Sequence, residues 1–197
     1  MAIGGVLFDI DGVLVTSWKP IPGAAEAVAV LADRQIARSY LTNTTTRTRQ
    51  QIASALCDAG IDVRPDEVIT AAALTADYVR ANYPDARCFL VNNGQITDDM
   101  PGIDIVDSED YDDAGSEVPD VILLGGAGPE YSHRTLSRSM SGWPRGVPVV
   151  AMHRSTAWTT TEGLRIDTGM YLIGMEETSG RKATGVGKPR GRVPRLG

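Results

Sequence analysis

The segment Val6-Leu7-Phe8-Asp9-Ile10-Asp11-Gly12-Val13-Leu14 constrains the fold more than any other stretch of the chain. The apolar run from Gly4 to Phe8, rich in Val, Leu and Phe, predicts a buried strand. Two carboxylates follow at i and i+2, and on a strand that spacing sends both side chains to one side. In open parallel sheets the C-terminal strand ends face a ligand crevice, so paired acids there are placed for chemistry. Gly12 lets the chain turn away sharply just beyond them.

The rest of the sequence supplies partners for such a strand. Pro22 and Gly23 open an Ala/Val/Leu segment running to Arg34, predicted as a helix with Pro in its first turn. Residues 36–41 suit a second strand, ending at Thr42-Asn43-Thr44-Thr45-Thr46. A helix over 47–59 follows, stopped by Gly60 as its C′ residue. Val68-Ile69-Thr70 is a third strand candidate, and a helix over 71–82 closes before Pro84. Alternating strands and helices call for parallel pairing with helical crossovers. From Pro84 the pattern restarts, with strands at 88–91, 121–124 and 147–152 and a helix over 129–140. A helix over 168–179 and a short strand at 183–186 lead into Gly187-Lys188-Pro189. Residues 104–120 carry Asp107, Glu109, Asp110, Asp112, Asp113 and Glu117 without calcium-loop spacing, and are expected to form a solvated loop. The tail over 190–197 lacks periodicity and is expected to be unfolded.

With 197 residues the chain can bury one large or two small cores. Its net charge of −6 supplies no global field toward nucleic acid or an anionic membrane. Cys57 and Cys88 form neither a disulfide framework nor a metal motif, and are expected as reduced thiols in or near the core. No basic, apolar leader and no membrane span is evident, which points to a cytoplasmic protein.

The chemistry that suits Asp9 and Asp11 is phosphoryl transfer: one carboxylate attacks phosphorus and the other moves protons. Paired acids repel, so a site that holds them calls for a cation, and Mg²⁺ with oxygen ligands is the natural choice. Taken alone, the pair could simply cap a turn. Thr42 and Asn43, with the backbone N–H groups after them, make a phosphate-sized donor cluster at a strand end. The plainer reading of this stretch is helix capping, with one of Thr44 to Thr46 as N-cap. Lys188, between Gly187 and Pro189 after a strand, could balance phosphate charge or be an ordinary loop lysine.

Strand-end Asp-x-Asp, strand-end Thr-Asn and a late Gly-Lys-Pro, in that order, resemble the haloacid dehalogenase (HAD) phosphatases. The subgroup resembled is HAD-IIA, with a large C2-type cap, close to the phospholysine phosphohistidine inorganic pyrophosphate phosphatases. Leu41–Thr46, Val121–Gly125, Val149–His153, Glu162–Leu164 and Gly185–Pro189 carry this likeness, which spans residues 1 to about 189. It implies an α/β fold: a Rossmann-like parallel-sheet core, incomplete at the C-terminus, with an inserted α/β cap. The implied division is core over 1–83, cap over 84–179, return to the core with the lysine motif over 180–189, and a tail over 190–197.

The resemblance also implies roles. Asp9 is the nucleophile, Asp11 the acid/base and Lys188 the charge-balancing lysine. Thr42, Asn43 and Gly12 lie on the substrate side, and Asp9 with Asp11 (through its carbonyl) ligates Mg²⁺. The cap supplies the pocket for a small phosphorylated substrate and a homodimer contact; nucleic acid and membrane are not expected partners. His153 and residues 154–158 receive no role.

Family members continue past Gly-Lys-Pro to a Gly-Asp-Asp segment that completes the metal site. Here Asp167 is the last aspartate, so a truncated or frame-shifted family member is expected, with weakened Mg²⁺ binding and an exposed apolar sheet edge. Three other readings stay open: an inactive HAD-like binding or dimerisation module, a nucleotide-sugar transferase using Asp-x-Asp, and a phosphate-accepting receiver domain.

Overall fold

A computed structural model describes residues 3–106, 118–160 and 163–188. The expectations for Asp107 to Glu117, for Glu162, for Pro189 and for the 190–197 tail lie outside the described residues. The chain forms two compact units. One comprises the described residues up to Thr42 with Arg47–Thr70; the other comprises Asn43–Thr46 with the residues from Ala71 onward.

The first unit contains β1 (Gly5–Asp9), β2 (Val15–Thr16), β3 (Lys19–Pro20), α1 (Ala24–Asp33), β4 (Ala37–Thr42), α2 (Arg49–Asp58) and β5 (Val68–Thr70). Its three-stranded sheet has the order β1-β4-β5 and is wholly parallel, as the strand–helix alternation predicts. The register sets Asp9 opposite Leu41 and Thr42 opposite Thr70. Ile10, Leu14, Tyr40, Ile52, Leu56 and Ile61 form the buried centre, with Phe8 and Trp18 packed on it. Phe8 stacks on Tyr40 with ring centroids 5.7 Å apart.

Several local expectations change. β1 is less buried than its apolar sequence predicts, because it lies at the edge of this sheet; Leu7 is 40% exposed. Pro22 sits before the N-cap of α1, Gly23, whose φ of 84° a side chain would resist. The N-cap of α2 is Thr48, not a residue from Thr44 to Thr46. Gln51 lies three residues on and completes a capping box, accepting from the Thr48 N–H at 2.9 Å while its own N–H donates to the Thr48 hydroxyl. Gly60 follows α2 with φ of 82°, the C′ role expected of it. Cys57 is exposed rather than in the core.

The second unit contains α3 (Ala71–Asn82), β6 (Arg87–Val91), β7 (Asp104–Val106), β8 (Val121–Leu124), α4 (His133–Gly142), β9 (Val149–Ala151), β10 (Ala157–Thr160), β11 (Gly163–Ile166), α5 (Thr168–Ser179) and β12 (Thr184–Gly185). Its parallel sheet runs β12-β9-β8-β6-β7. All four side chains of β8 are buried, which explains its unbroken apolar sequence. β7 corrects the loop expected to begin at Asp104: Ile105 and Val106 pair beside Cys88 and Phe89. α4 starts at His133 rather than Pro129, because Ser132 caps it by accepting from the Thr135 N–H. β10 and β11 form an antiparallel hairpin that the sequence reading left undivided.

Candidate active site

Asp9 is the last residue of β1 and Asp11 lies two residues on; both are exposed, whereas Ile10 between them is fully buried. The alternation expected of extended backbone therefore holds, with the apolar side chain in the core and both carboxylates on the solvent side. Asp9 Oδ1 accepts from the Ile10 N–H at 2.8 Å. The chain then folds over tightly. The Ile10 carbonyl accepts from Leu14 at 2.9 Å and Val15 at 3.2 Å, and the Gly12 N–H donates to the Val15 carbonyl at 2.8 Å. Gly12 has φ of 79°, a conformation that disfavours any side chain. This turn leads into the β2–β3 hairpin, whose tip residues Ser17 and Trp18 both have positive φ. The guanidinium of Arg47 lies 4.3 Å from the Trp18 ring and braces that tip.

Thr42 ends β4 and is 2% exposed. The next residue, Asn43, belongs to the second unit, and so does Lys188. The structure brings these two together. Asn43 Oδ1 accepts from the Lys188 N–H and Asn43 Nδ2 donates to the Lys188 carbonyl, each at 3.0 Å, across 145 residues of sequence.

Around them the second unit is held by polar side chains at its strand ends. Asn92, after β6, accepts from the Gly126 N–H at 2.8 Å and donates to the Thr45 carbonyl at 2.9 Å. Asp167 caps α5, accepting from the Thr168 N–H at 2.8 Å. His153 is 3% exposed and stands 3.9 Å from the Asp167 carboxylate. Burial pushes its pKa down against the pull of Asp167, favouring the neutral imidazole. Glu176 on α5 is buried and bidentate to Arg154, at 2.7 and 3.0 Å. It also accepts from the Lys182 ammonium at 2.9 Å and the Ala183 N–H at 3.1 Å.

Sequence reading missed Glu176 and Arg154. A glutamate pair at 176–177 carries no sign of which member is buried, and the partners are 22 residues apart. The N-cap at Asp167 was legible as an acid before a predicted helix. Among the described residues no group of three or more His, Cys, Asp or Glu side chains is arranged to hold a metal ion. Among them, too, no helix is long and apolar enough to cross a membrane.

Residues 6–105 match the family described as haloacid dehalogenase-like hydrolases. Over 188 residues the chain is 27% identical to haloacid dehalogenase-like hydrolase domain-containing protein 2 of Pongo abelii, covering 95% of this chain and 68% of that protein. It is 36% identical over 85 residues to an acid sugar phosphatase of Staphylococcus epidermidis, covering 43% of this chain and 33% of the relative. Among solved structures, NagD from E. coli K-12 superposes with a TM-score of 0.80 at 29% identity, over 96% of this chain and 71% of that one.

Proposed function

Because the chain belongs to the haloacid dehalogenase-like hydrolases, in their subfamily IIA, we propose that it is a Mg²⁺-dependent phosphatase that hydrolyses small phosphate esters through an aspartyl-phosphate on Asp9. The observation that carries this reading is the pair of exposed carboxylates at the end of β1, held to one side by the buried Ile10. An Asp9 oxygen attacks phosphorus, and the ester P–O bond breaks as Asp11 gives its proton to the departing oxygen. Asp11, now a carboxylate, takes a proton from the water that splits the acyl phosphate and restores Asp9. The Thr42 hydroxyl orients the phosphate, with Asn43 beside it in sequence. The Lys188 ammonium offsets the accumulated negative charge. The family order of the motifs, rather than a measured separation, supports joining Lys188 to the two aspartates.

Asp9 and Asp11 offer oxygen donors alone. That suits Mg²⁺, which takes one or two carboxylates and completes its shell with water and substrate phosphate. When bound it would relieve the repulsion between anionic nucleophile and phosphate. The segment from about residue 84 to 179 is read as the cap that selects the substrate. The acid sugar phosphatase relative makes sugar phosphates the first class to screen.

The test is turnover of p-nitrophenyl phosphate. Chelation with EDTA should abolish it and added Mg²⁺ should restore it. Asp11→Asn separates the two half-reactions, because p-nitrophenolate leaves without needing a proton. That variant should release a burst of p-nitrophenolate stoichiometric with enzyme, followed by a steady rate about 10²–10⁴-fold below wild type. Turnover indifferent to EDTA, or an Asp11→Asn rate equal to wild type, would sink this reading.

A further inference from the structure

We infer that Asn43 is a positioning residue for Lys188, holding the backbone of the lysine in place through both ends of its side-chain amide. This rests on the phosphatase reading of Lys188 and adds to it a device that the motif order does not disclose.

An asparagine side chain carries one acceptor and one donor group in a plane, the same pair that a peptide presents to a neighbouring strand. Asn43 uses both on a single residue: it accepts from the Lys188 N–H and donates to the Lys188 carbonyl. The side chain thus continues, by one step, the pairing that carries β12 along β9. Thr184 pairs with Val150 and Gly185 with Ala151. The Val186 N–H donates to the Ala151 carbonyl at 3.0 Å, and the Gly187 N–H to the Met152 carbonyl at 2.8 Å. At the next residue, Lys188, the Asn43 side chain supplies both the acceptor and the donor.

The neighbouring residue fits this arrangement. A Cβ on Gly187 would collide with the Met152 carbonyl and press on Asn43 Oδ1, so glycine is what lets strand and amide approach together. The upstream end of the segment is fixed independently: Glu176 accepts from the Ala183 N–H, and the Arg154 stem lies against Gly185. Lys188 therefore leaves a short segment anchored at Ala183, along β9 and at Asn43. Its ammonium departs from a defined backbone position, which matters because a long side chain on a mobile loop places its charge poorly.

A double-mutant cycle tests this against the alternative that Asn43 acts on the phosphate by itself. Turnover of p-nitrophenyl phosphate with Mg²⁺ is measured for wild type, Asn43→Ala, Lys188→Ala and the double variant. Asn43→Ala should lower kcat about 10–100-fold with KM changed less than about threefold, and in the Lys188→Ala background should cost less than about twofold more. Equal losses in both backgrounds, with a raised KM, would overturn the proposal. Asn43→Asp keeps the acceptor for the Lys188 N–H and loses the donor; it should fall between, and it carries the cycle if the alanine variant does not fold.

A readout independent of activity separates failure of this inference from failure of the phosphatase reading. The chain has three lysines, Lys19, Lys182 and Lys188. Reductive ¹³C-methylation gives each its own NMR signal, with Lys188 assigned by Lys188→Arg. Asn43→Ala, which adds no charge, should move the Lys188 signal while leaving Lys19 and Lys182 unchanged. An unmoved Lys188 signal refutes the latch whether or not the protein turns over substrate. A moved signal in a protein without turnover upholds the latch and removes the enzymatic reading.

Discussion

Asp9→Asn should lower turnover of p-nitrophenyl phosphate by about 10⁴-fold or more while leaving the fold intact. The magnitude follows from what the substitution removes. A carboxylate oxygen carries a full negative charge with a lone pair directed at phosphorus; a neutral amide oxygen is a far poorer nucleophile, and its phosphorylated product is unstable. The structural cost is small for equally specific reasons. Asn has the shape of Asp, and its carbonyl oxygen can still accept from the Ile10 N–H, the bond that Asp9 Oδ1 makes at 2.8 Å. Asp9 is exposed, so no buried charge is stranded. The backbone pairing of β1 with β4, including Asp9 opposite Leu41, does not involve the side chain. Activity and stability should therefore separate cleanly: steady-state kinetics should show the loss, while a urea midpoint should match wild type within error. A variant that retained more than about a tenth of the activity would remove Asp9 from the role of nucleophile.

The second large effect is on stability, at Glu176. Its side chain is 2% exposed, and it receives donors from Arg154, Lys182 and Ala183. Burial alone would push its pKa up, but these hydrogen bonds more than reverse that, and the carboxyl is held down to about 2. A lowering of that size corresponds to about 3 kcal/mol of stabilisation at neutral pH. Lys182 is 79% exposed and contributes little of it. Glu176→Gln keeps the shape and removes the charge, so it should destabilise the second unit by about 2–3 kcal/mol at pH 7.

The sign of the pH dependence follows from the depressed pKa. The contribution of Glu176 is complete above the ordinary glutamate pKa and is lost as pH falls from there toward 2. Wild type and Glu176→Gln should therefore differ most near neutrality and converge as pH falls toward 2. Tryptophan fluorescence, to which Trp143 (1% exposed in the second unit) contributes alongside Trp18 and Trp158, can follow urea unfolding at each pH. A difference between the two proteins that stayed constant from pH 7 to pH 3 would assign the loss to packing rather than charge.

Sequence revealed the elements whose physics is local. The apolar run before Asp9, the Gly60 stop after α2 and the unbroken Val121–Leu124 strand each carry their own signal, and the structure has them where expected. Elements that depend on distant contacts were hidden. Ser17 and Trp18 take positive φ without the usual Asn or Gly, and it is Arg47, far along the chain, that braces the turn. The β10–β11 hairpin has no buried face to impose alternation; Leu164 is 75% exposed and Ile166 56%. β7 was obscured by the acids that follow it. The N-cap at Thr48 could have been found from Gln51 three residues on, had capping been weighed over the whole threonine run.

The candidate site divides the same way. Asp9 and Asp11 were legible because the i, i+2 spacing on a strand fixes their common side without help from elsewhere. The Asn43–Lys188 pairing spans 145 residues and uses one backbone and one side chain, so neither residue type announces it. The Glu176–Arg154 clamp was hidden for a related reason. Helical spacing alone does not distinguish a buried glutamate from its exposed neighbour Glu177.

A phosphoryl group carried on Asp9 can be trapped chemically. Asp11→Asn protein, in which the second half-reaction is slowed, is mixed with p-nitrophenyl phosphate and Mg²⁺, quenched in acid and reduced with borohydride. The peptide carrying Asp9 is then analysed by mass spectrometry. Asp9 should be converted to homoserine only in the presence of substrate, and the product should be absent when Asp9→Asn is added to the variant. A phosphoryl group trapped at any other residue, or a burst of product with Asp9 unmodified, would contradict Asp9 as the phosphoryl carrier.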